Sequence, residues 1–225
     1  VEVAYADGFA GAVDGFDLIV LHQLPSGKHS IQPVIRRAKE KGIPYLLVLG
    51  AASVLAAADG LLAGAHMTGP RNATIDAQAD VSDRFSLFTI EPDLKKALER
   101  FPPLQVPFAQ YALGRGAEAL AMQRVGVVRT ESPLIAVQQL QGLRTAVICG
   151  EGLWRWRLAD QQYFDSHERF DRLLHKLVQF LALKAGKKRF RVEHAPLFTS
   201  TDAVTMSAEV YNAAIEPVTD AERGV

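Results

Sequence analysis

An open α/β domain with a mixed sheet and helices on both faces is predicted by three observations. Short runs rich in Val, Ile and Leu, at residues 17–21, 44–49 and 143–149, lack the polar alternation of half-exposed strands, as expected of strands covered on both faces. A helical segment separates the first two, giving a βαβ rhythm. Three strand-like stretches at residues 119–128, 133–138 and 143–149 then follow too closely for helical crossovers, so they are expected to form antiparallel hairpins.

In chain order, residues 1–5 alternate and read as a strand. The glycine-rich stretch at residues 8–15 is too broken for a long helix. Residues 17–21 form the next strand, and His22-Gln23-Leu24-Pro25-Ser26 a loop at its carboxyl end. A helix over residues 31–41 stops at Gly42. After the strand at 44–49, residues 51–58 read as a short helix, 74–81 as a weak strand and 85–88 as extended chain. Pro92 begins a helix over residues 91–100, and Phe101-Pro102-Pro103-Leu104 ends it, because a residue before proline is driven out of the helical region.

The longest helix is expected over residues 166–185. Phe170, Leu173, Leu174, Leu177, Val178 and Leu181 form one apolar stripe, Asp165 or Ser166 offers a cap, and Glu168 suits the positive end of the helix dipole. Lys184, Lys187, Lys188, Arg189 and Arg191 then cluster as a solvated helix end. These elements divide the chain into an α/β domain over residues 1–189 and, over residues 190–225, a linker with the first strands of a β module.

The most unusual stretch is Cys149-Gly150-Glu151-Gly152-Leu153-Trp154-Arg155-Trp156-Arg157-Leu158, which contains both tryptophans and the single cysteine. It reads as a strand end that turns abruptly into a loop, with Gly150 and Gly152 supplying positive φ. If the loop is extended, both indoles face one way and both guanidiniums the other. Two readings compete. In one, the tryptophans clasp the sheet end while Glu151 pairs with Arg155 or Arg157; in the other, Glu151, Trp154, Arg155, Trp156 and Arg157 form a binding site where open α/β sheets take ligands.

Composition narrows the function. The 225 residues carry a formal net charge of zero, which argues against nucleic-acid binding by bulk electrostatics. No run approaches the roughly 18 apolar residues of a membrane span, so direct membrane insertion by these residues is not expected. Cys149, at a strand end rather than on a turn, reads as a small buried side chain and not a nucleophile. Ser53 follows the 44–49 strand but lacks the G-x-S-x-G frame. His22 and His29 lack metal-site spacing, and His167-Glu168 has no nucleophile to serve. Gly150-Glu151-Gly152 departs from a dinucleotide fingerprint at Arg155. Neither a metal nor an organic cofactor is implied.

The segment Lys41-Gly42-Ile43-Pro44-Tyr45-Leu46-Leu47-Val48-Leu49-Gly50 resembles the strand leading to the catalytic cysteine of class I glutamine amidotransferases, and the chain from Cys149 through the long helix resembles their last strand, closing loop and terminal helix. That resemblance implies a flavodoxin-like fold. At the nucleophile turn this chain has Gly50, Ala51 and Ala52, without the cysteine, and His167-Glu168 only loosely echoes the family's His-x-Glu pair. Asp17 to Ser26, Phe85-Ser86-Leu87-Phe88, Phe101 to Leu104, Gly150 to Leu158, Phe190-Arg191-Val192 and Ala208-Glu209-Val210-Tyr211-Asn212 also resemble large membrane-anchored bacterial proteins in which a von Willebrand factor A-like domain precedes an amidotransferase-like domain and a β segment. The resemblance implies a noncatalytic scaffold or interaction domain on the periplasmic side. Its partners would be other domains of the same protein and envelope proteins. It also implies a further strand upstream of Val1, without which a central position of the sheet would be empty. The alternative is a divergent hydrolase or amidotransferase using Ser53, His22 and Glu151; a third reading is a small-ligand sensor that depends on Trp154.

Overall fold

A computed structural model describes residues 1–9, 13–58, 60–183, 190–194 and 206–210. Its centre is a seven-stranded mixed sheet in the order β1-β2-β9-β8-β7-β4-β5. β1 (Ile19–His22), α1 (Gln32–Lys41) and β2 (Tyr45–Val48) form the expected parallel unit, with Ile19 opposite Tyr45 and His22 opposite Val48. Gly42 ends α1 at φ 65°, a left-handed conformation that glycine adopts without Cβ strain.

The intervening segment contains β3 (Ala65–Thr68), β4 (Thr74–Val81) and α2 (Pro92–Arg100). It continues with β5 (Leu104–Pro107), β6 (Gln110–Leu113), β7 (Ala117–Val125), β8 (Val128–Leu140) and β9 (Leu143–Ile148). β9 runs parallel to β2, whereas β7, β8 and β9 pair antiparallel as the short connections predict. β3 and β6 form a separate antiparallel pair. After β9 come α3 (Leu153–Phe164) and α4 (Glu168–Ala182). β10 (Phe190–His194) and β11 (Met206–Val210) pair antiparallel with each other, and the other residues expected in a β module lie outside the described ones. The lysine and arginine cluster at 184–189 also lies outside them.

The two faces can be told apart at adjacent residues of β9. Arg144 donates to the Phe180 carbonyl of α4 at 2.7 Å, so its side of the sheet is covered by α4, against which α2 and α3 pack. Thr145 points the other way and donates to Gln138 of β8. The Gln138 Cβ lies against Gly64, where an added Cβ would come within 2.9 Å. The chain around Gly64 therefore covers this second face, and α1 belongs to the same layer, since Ile35 and Leu61 line one shallow hollow. Between the layers, Leu47, Leu134, Ala136, Val137, Ala146 and Val147 are fully buried. This is the flavodoxin-like α/β architecture expected from the sequence.

Several local expectations are corrected. Residues 1–5 form no strand: Val1, Val3 and Tyr5 are 128%, 84% and 86% exposed, and a 3-10 turn follows at Ala6–Gly8. Residues 51–58 contain only a 3-10 turn at Leu55–Ala57, and residues 85–88 are irregular. β1 pairs directly with β2 along its whole length, so these two strands leave no empty position between them. The cap of α4 comes mainly from neither Asp165 nor Ser166. Asp160 of α3, wholly buried, accepts the amides of Arg169 and Phe170 at 2.9 and 3.0 Å, while Ser166 accepts only that of Glu168. Among the described residues no helix is long and apolar enough to cross a membrane.

Candidate functional site

The carboxyl ends of β1, β2 and β9 converge on one turn, Gly50-Ala51-Ala52-Ser53. Leaving β2, Leu49 still bonds to Ile148 of β9, after which the chain turns with the Ser53 amide donating to the Gly50 carbonyl. Such a turn exposes successive backbone N–H groups, each of which needs an acceptor. Three side chains supply them. Gly50 donates to Ser53 Oγ at 3.1 Å, Ala51 to Glu151 Oε1 at 3.2 Å, and Ala52 to Gln23 Oε1 at 3.1 Å.

Each acceptor is fixed by its own backbone. Gln23 follows β1, bonds through its amide to the Val48 carbonyl at 2.7 Å and turns away at φ 55°. Glu151 is held by a reciprocal pair of hydrogen bonds with Gln105 of β5, both 3.0 Å. That bridge brings the far strand of the sheet back to the end of β9. It requires a glycine just before it: a Cβ on Gly150 would lie 3.0 Å from both Leu104 Cβ and Val106 Cγ2. Gly50 is equally constrained, because a Cβ there would come within 2.6 Å of Glu151 Oε2 and 2.9 Å of Gln23 Cγ.

The Trp-Arg-Trp-Arg segment is helical, contrary to the loop expected. Gly152, at φ 105°, turns the chain, and Leu153 to Phe164 then offers mostly good helix formers, with no glycine, proline or β-branched residue. Residues two apart on a helix point roughly 200° apart, so the two indoles part company. Trp156 is fully buried, donates Nε1–H to the Pro102 carbonyl at 2.7 Å and packs against Phe101. Trp154 is 66% exposed, with the Arg155 guanidinium 5.7 Å from its ring centre.

The expected Glu151 pairing with Arg155 or Arg157 does not form. Arg155 reaches the Pro103 carbonyl at 3.5 Å, and Arg157 pairs with Asp171 of α4 at 3.2 Å. Gly150 contributes close approach rather than positive φ. The structure thus divides the five binding candidates: Glu151 belongs to the turn, Trp156 to the core, Arg157 to the α3–α4 contact and Trp154 to the surface, while half-buried Arg155 lies against Gly152 and the Pro103 carbonyl.

His22, Ser53 and Glu151 lie at neighbouring strand ends, but no hydrogen bond connects His22 to either of the others. Ser53 Oγ is engaged with its own turn. Cys149 is wholly buried, and burial pushes its thiol up to about 12, leaving it protonated near neutrality. His167 Nδ1 lies 3.0 Å from the Arg157 carbonyl and joins α3 to the start of α4. Among the described residues no cluster of three or more His, Cys, Asp or Glu is arranged to hold a metal ion. Gln23, Gln105 and the amides of Ala51 and Ala52 were not foreseen as site groups, since amide side chains and backbone N–H groups carry no motif of their own.

No family model matches the chain, and a search of curated proteins finds no match. Among solved structures, the chain is similar to a cytoplasmic protein from Salmonella typhimurium, with 15% identity, a TM-score of 0.45, and coverage of 74% of this chain and 72% of that one. It is also similar to the mmIFT52 N-terminal domain, with 18% identity, a TM-score of 0.36, and coverage of 69% and 72% respectively.

Proposed function

We propose that the chain is a noncatalytic, amidotransferase-like interaction or scaffold domain of a membrane-anchored bacterial envelope protein. The observation that carries the noncatalytic part is the turn after β2. Its centre is Ala51, which has no reactive group, and the amides of Gly50, Ala51 and Ala52 are already bonded to Ser53, Glu151 and Gln23. An acyl-transfer site needs amides free to receive an oxyanion as it develops. Here the Glu151 carboxyl group takes that place in the ground state, so the Ala51 amide is not free for an incoming oxygen.

Recognition is supported by the surface beside the turn. Trp154 and Leu158, 66% and 57% exposed, are one helical turn apart on α3, and tryptophan is among the residue types enriched at protein interfaces. The envelope setting follows from the sequence resemblance alone. A glutamine and ester hydrolysis assay on the purified chain tests the catalytic side, and no turnover is expected. Turnover abolished by Ser53→Ala or Glu151→Gln would establish the hydrolase alternative in its place.

A further inference from the structure

The sheet has an open edge and the chain has an unpaired strand-like segment. β1 ends the sheet. Ile19 and Gln23 donate inward, to Pro44 and Val48 of β2, so in a parallel ladder the N–H and C=O groups of Val20 and His22 face outward. Neither has a backbone partner among the described residues, and the Val20 side chain is 53% exposed. An edge of this kind, without proline or lysine to blunt it, is a template for another strand.

The segment that suits it is Val1-Glu2-Val3-Ala4-Tyr5. Its large apolar residues alternate and all three are exposed, and Tyr5 already has extended dihedrals, φ −79° and ψ 144°. Just beyond it, Asp7 contacts His29 Nε2 at 2.6 Å, and further on Asp14 pairs with Arg37 and Lys41 near the end of α1. The chain is therefore tied first near the start of α1 and then near its end. Residues 1–5 precede the first of these ties, and among the described residues they form no backbone hydrogen bond with β1. A net charge of zero sets no long-range repulsion against self-association.

We infer that residues 1–5 of one copy pair with the β1 edge of a second copy, and reciprocally, in a two-fold dimer formed by strand addition. Backbone bonds to Val20 and His22 supply the attachment, and Val1, Val3 and Tyr5 gain cover. The exchange is independent of the turn at Ala51 and of any catalytic activity.

Sedimentation equilibrium on the purified chain tests it with two variants. Val3→Lys puts a charge on the donated strand at a side chain packed against nothing, and Val20→Pro removes an outward N–H while sparing the β1–β2 bonds. The wild type is expected to dimerise with concentration, and each variant alone to associate about tenfold more weakly or worse, equivalent to about 1.4 kcal/mol. Mixing the two assembles one intact pairing, the Val20→Pro strand on the Val3→Lys edge, while the other pairing carries both changes, so the mixture is expected to associate more strongly than either variant alone and more weakly than the wild type. A monomeric wild type overturns the inference, as does a dimer indifferent to Val3→Lys or a mixture no stronger than its components. The last outcome would place the pairing within one chain. If Val20→Pro lacks the wild-type circular dichroism, His22→Pro takes its place in the mixture.

Discussion

Trp156 donates its indole N–H to the Pro102 carbonyl at 2.7 Å across 54 residues of chain, tying the first turn of α3 to the proline pair that ends α2. Its neighbour in sequence, Trp154, carries no comparable contact and remains 66% exposed. A pair that looks symmetrical in sequence is thus asymmetric in energy. Trp156→Phe loses the hydrogen bond and part of a filled volume, and is expected to cost about 2 kcal/mol. Trp154→Phe should change stability by less than about 0.5 kcal/mol. Urea unfolding of both variants decides it, and equal effects would contradict the burial of Trp156.

Gly50 and Glu151 are coupled by space. Gly50→Ala places a methyl against Glu151 Oε2, so the carboxylate must leave the Ala51 amide or the turn must shift. The expected cost is about 1–2 kcal/mol, close to that of a lost hydrogen bond with some strain. Adding Glu151→Ala to Gly50→Ala should cost less than Glu151→Ala alone, because the bond is already broken and the clash is relieved. Strict additivity in a double-mutant cycle would show that the two residues do not meet.

Cys149 should be silent in the native protein. It is wholly buried and its thiol pKa stands at about 12, so both access and thiolate fraction are low at neutral pH. Labelling by a thiol reagent is expected to follow unfolding, with a rate that rises with urea as the open population rises. Rapid, urea-independent labelling at pH 7 would mean that the end of β9 opens locally and that the cysteine is accessible to chemistry after all.

The parts of the fold that were legible in the sequence are those where one physical signal dominates. The apolar runs of β1, β2 and β9 have no polar alternation, Gly42 marks the end of α1, and the stripe through Phe170, Leu173 and Leu177 fixes α4. The strands β3, β5 and β6 were missed because each has only four residues and carries polar or proline positions, as in His66, Gln105 and Gln110. α3 was misread for a different reason. Trp and Arg alternate at 154–157, which imitates a period of two, whereas the helical stripe is Leu153, Trp156, Asp160 and Phe164, with a buried carboxylate in an apolar place. Asp160 is tolerated there because two α4 amides and Arg169, 3.8 Å away, face it. The turn at Ala51 escaped notice because its functional groups are amides, and which side chains reach them depends on strand order.

The contact between α2 and α4 should respond to acid. Arg172 donates through Nη1 to both carboxylate oxygens of Asp93, at 3.1 and 3.2 Å, and Arg169 approaches the same carboxylate at 3.8 Å. Burial alone would raise the Asp93 pKa, but the hydrogen bond and charge of Arg172, with help from the Leu94 amide and Arg169, outweigh it and hold it below its ordinary value of 3.8. A carboxylate with a lower pKa in the folded state than in the unfolded one contributes stability above the unfolded value. That contribution is lost as pH falls through the folded value. The melting temperature should therefore fall with pH below about 3.8, partly through this site. Because the pair is substantially solvated, the effect at neutral pH is small and diminishes with salt. Arg172→Met removes the main partner while keeping much of the apolar stem, and its melting temperature should depend less steeply on pH in that acid window than the wild type's. Parallel pH profiles for the two proteins would show that Asp93 is not what α4 responds to, and that the α2–α4 contact rests on apolar packing rather than on charge.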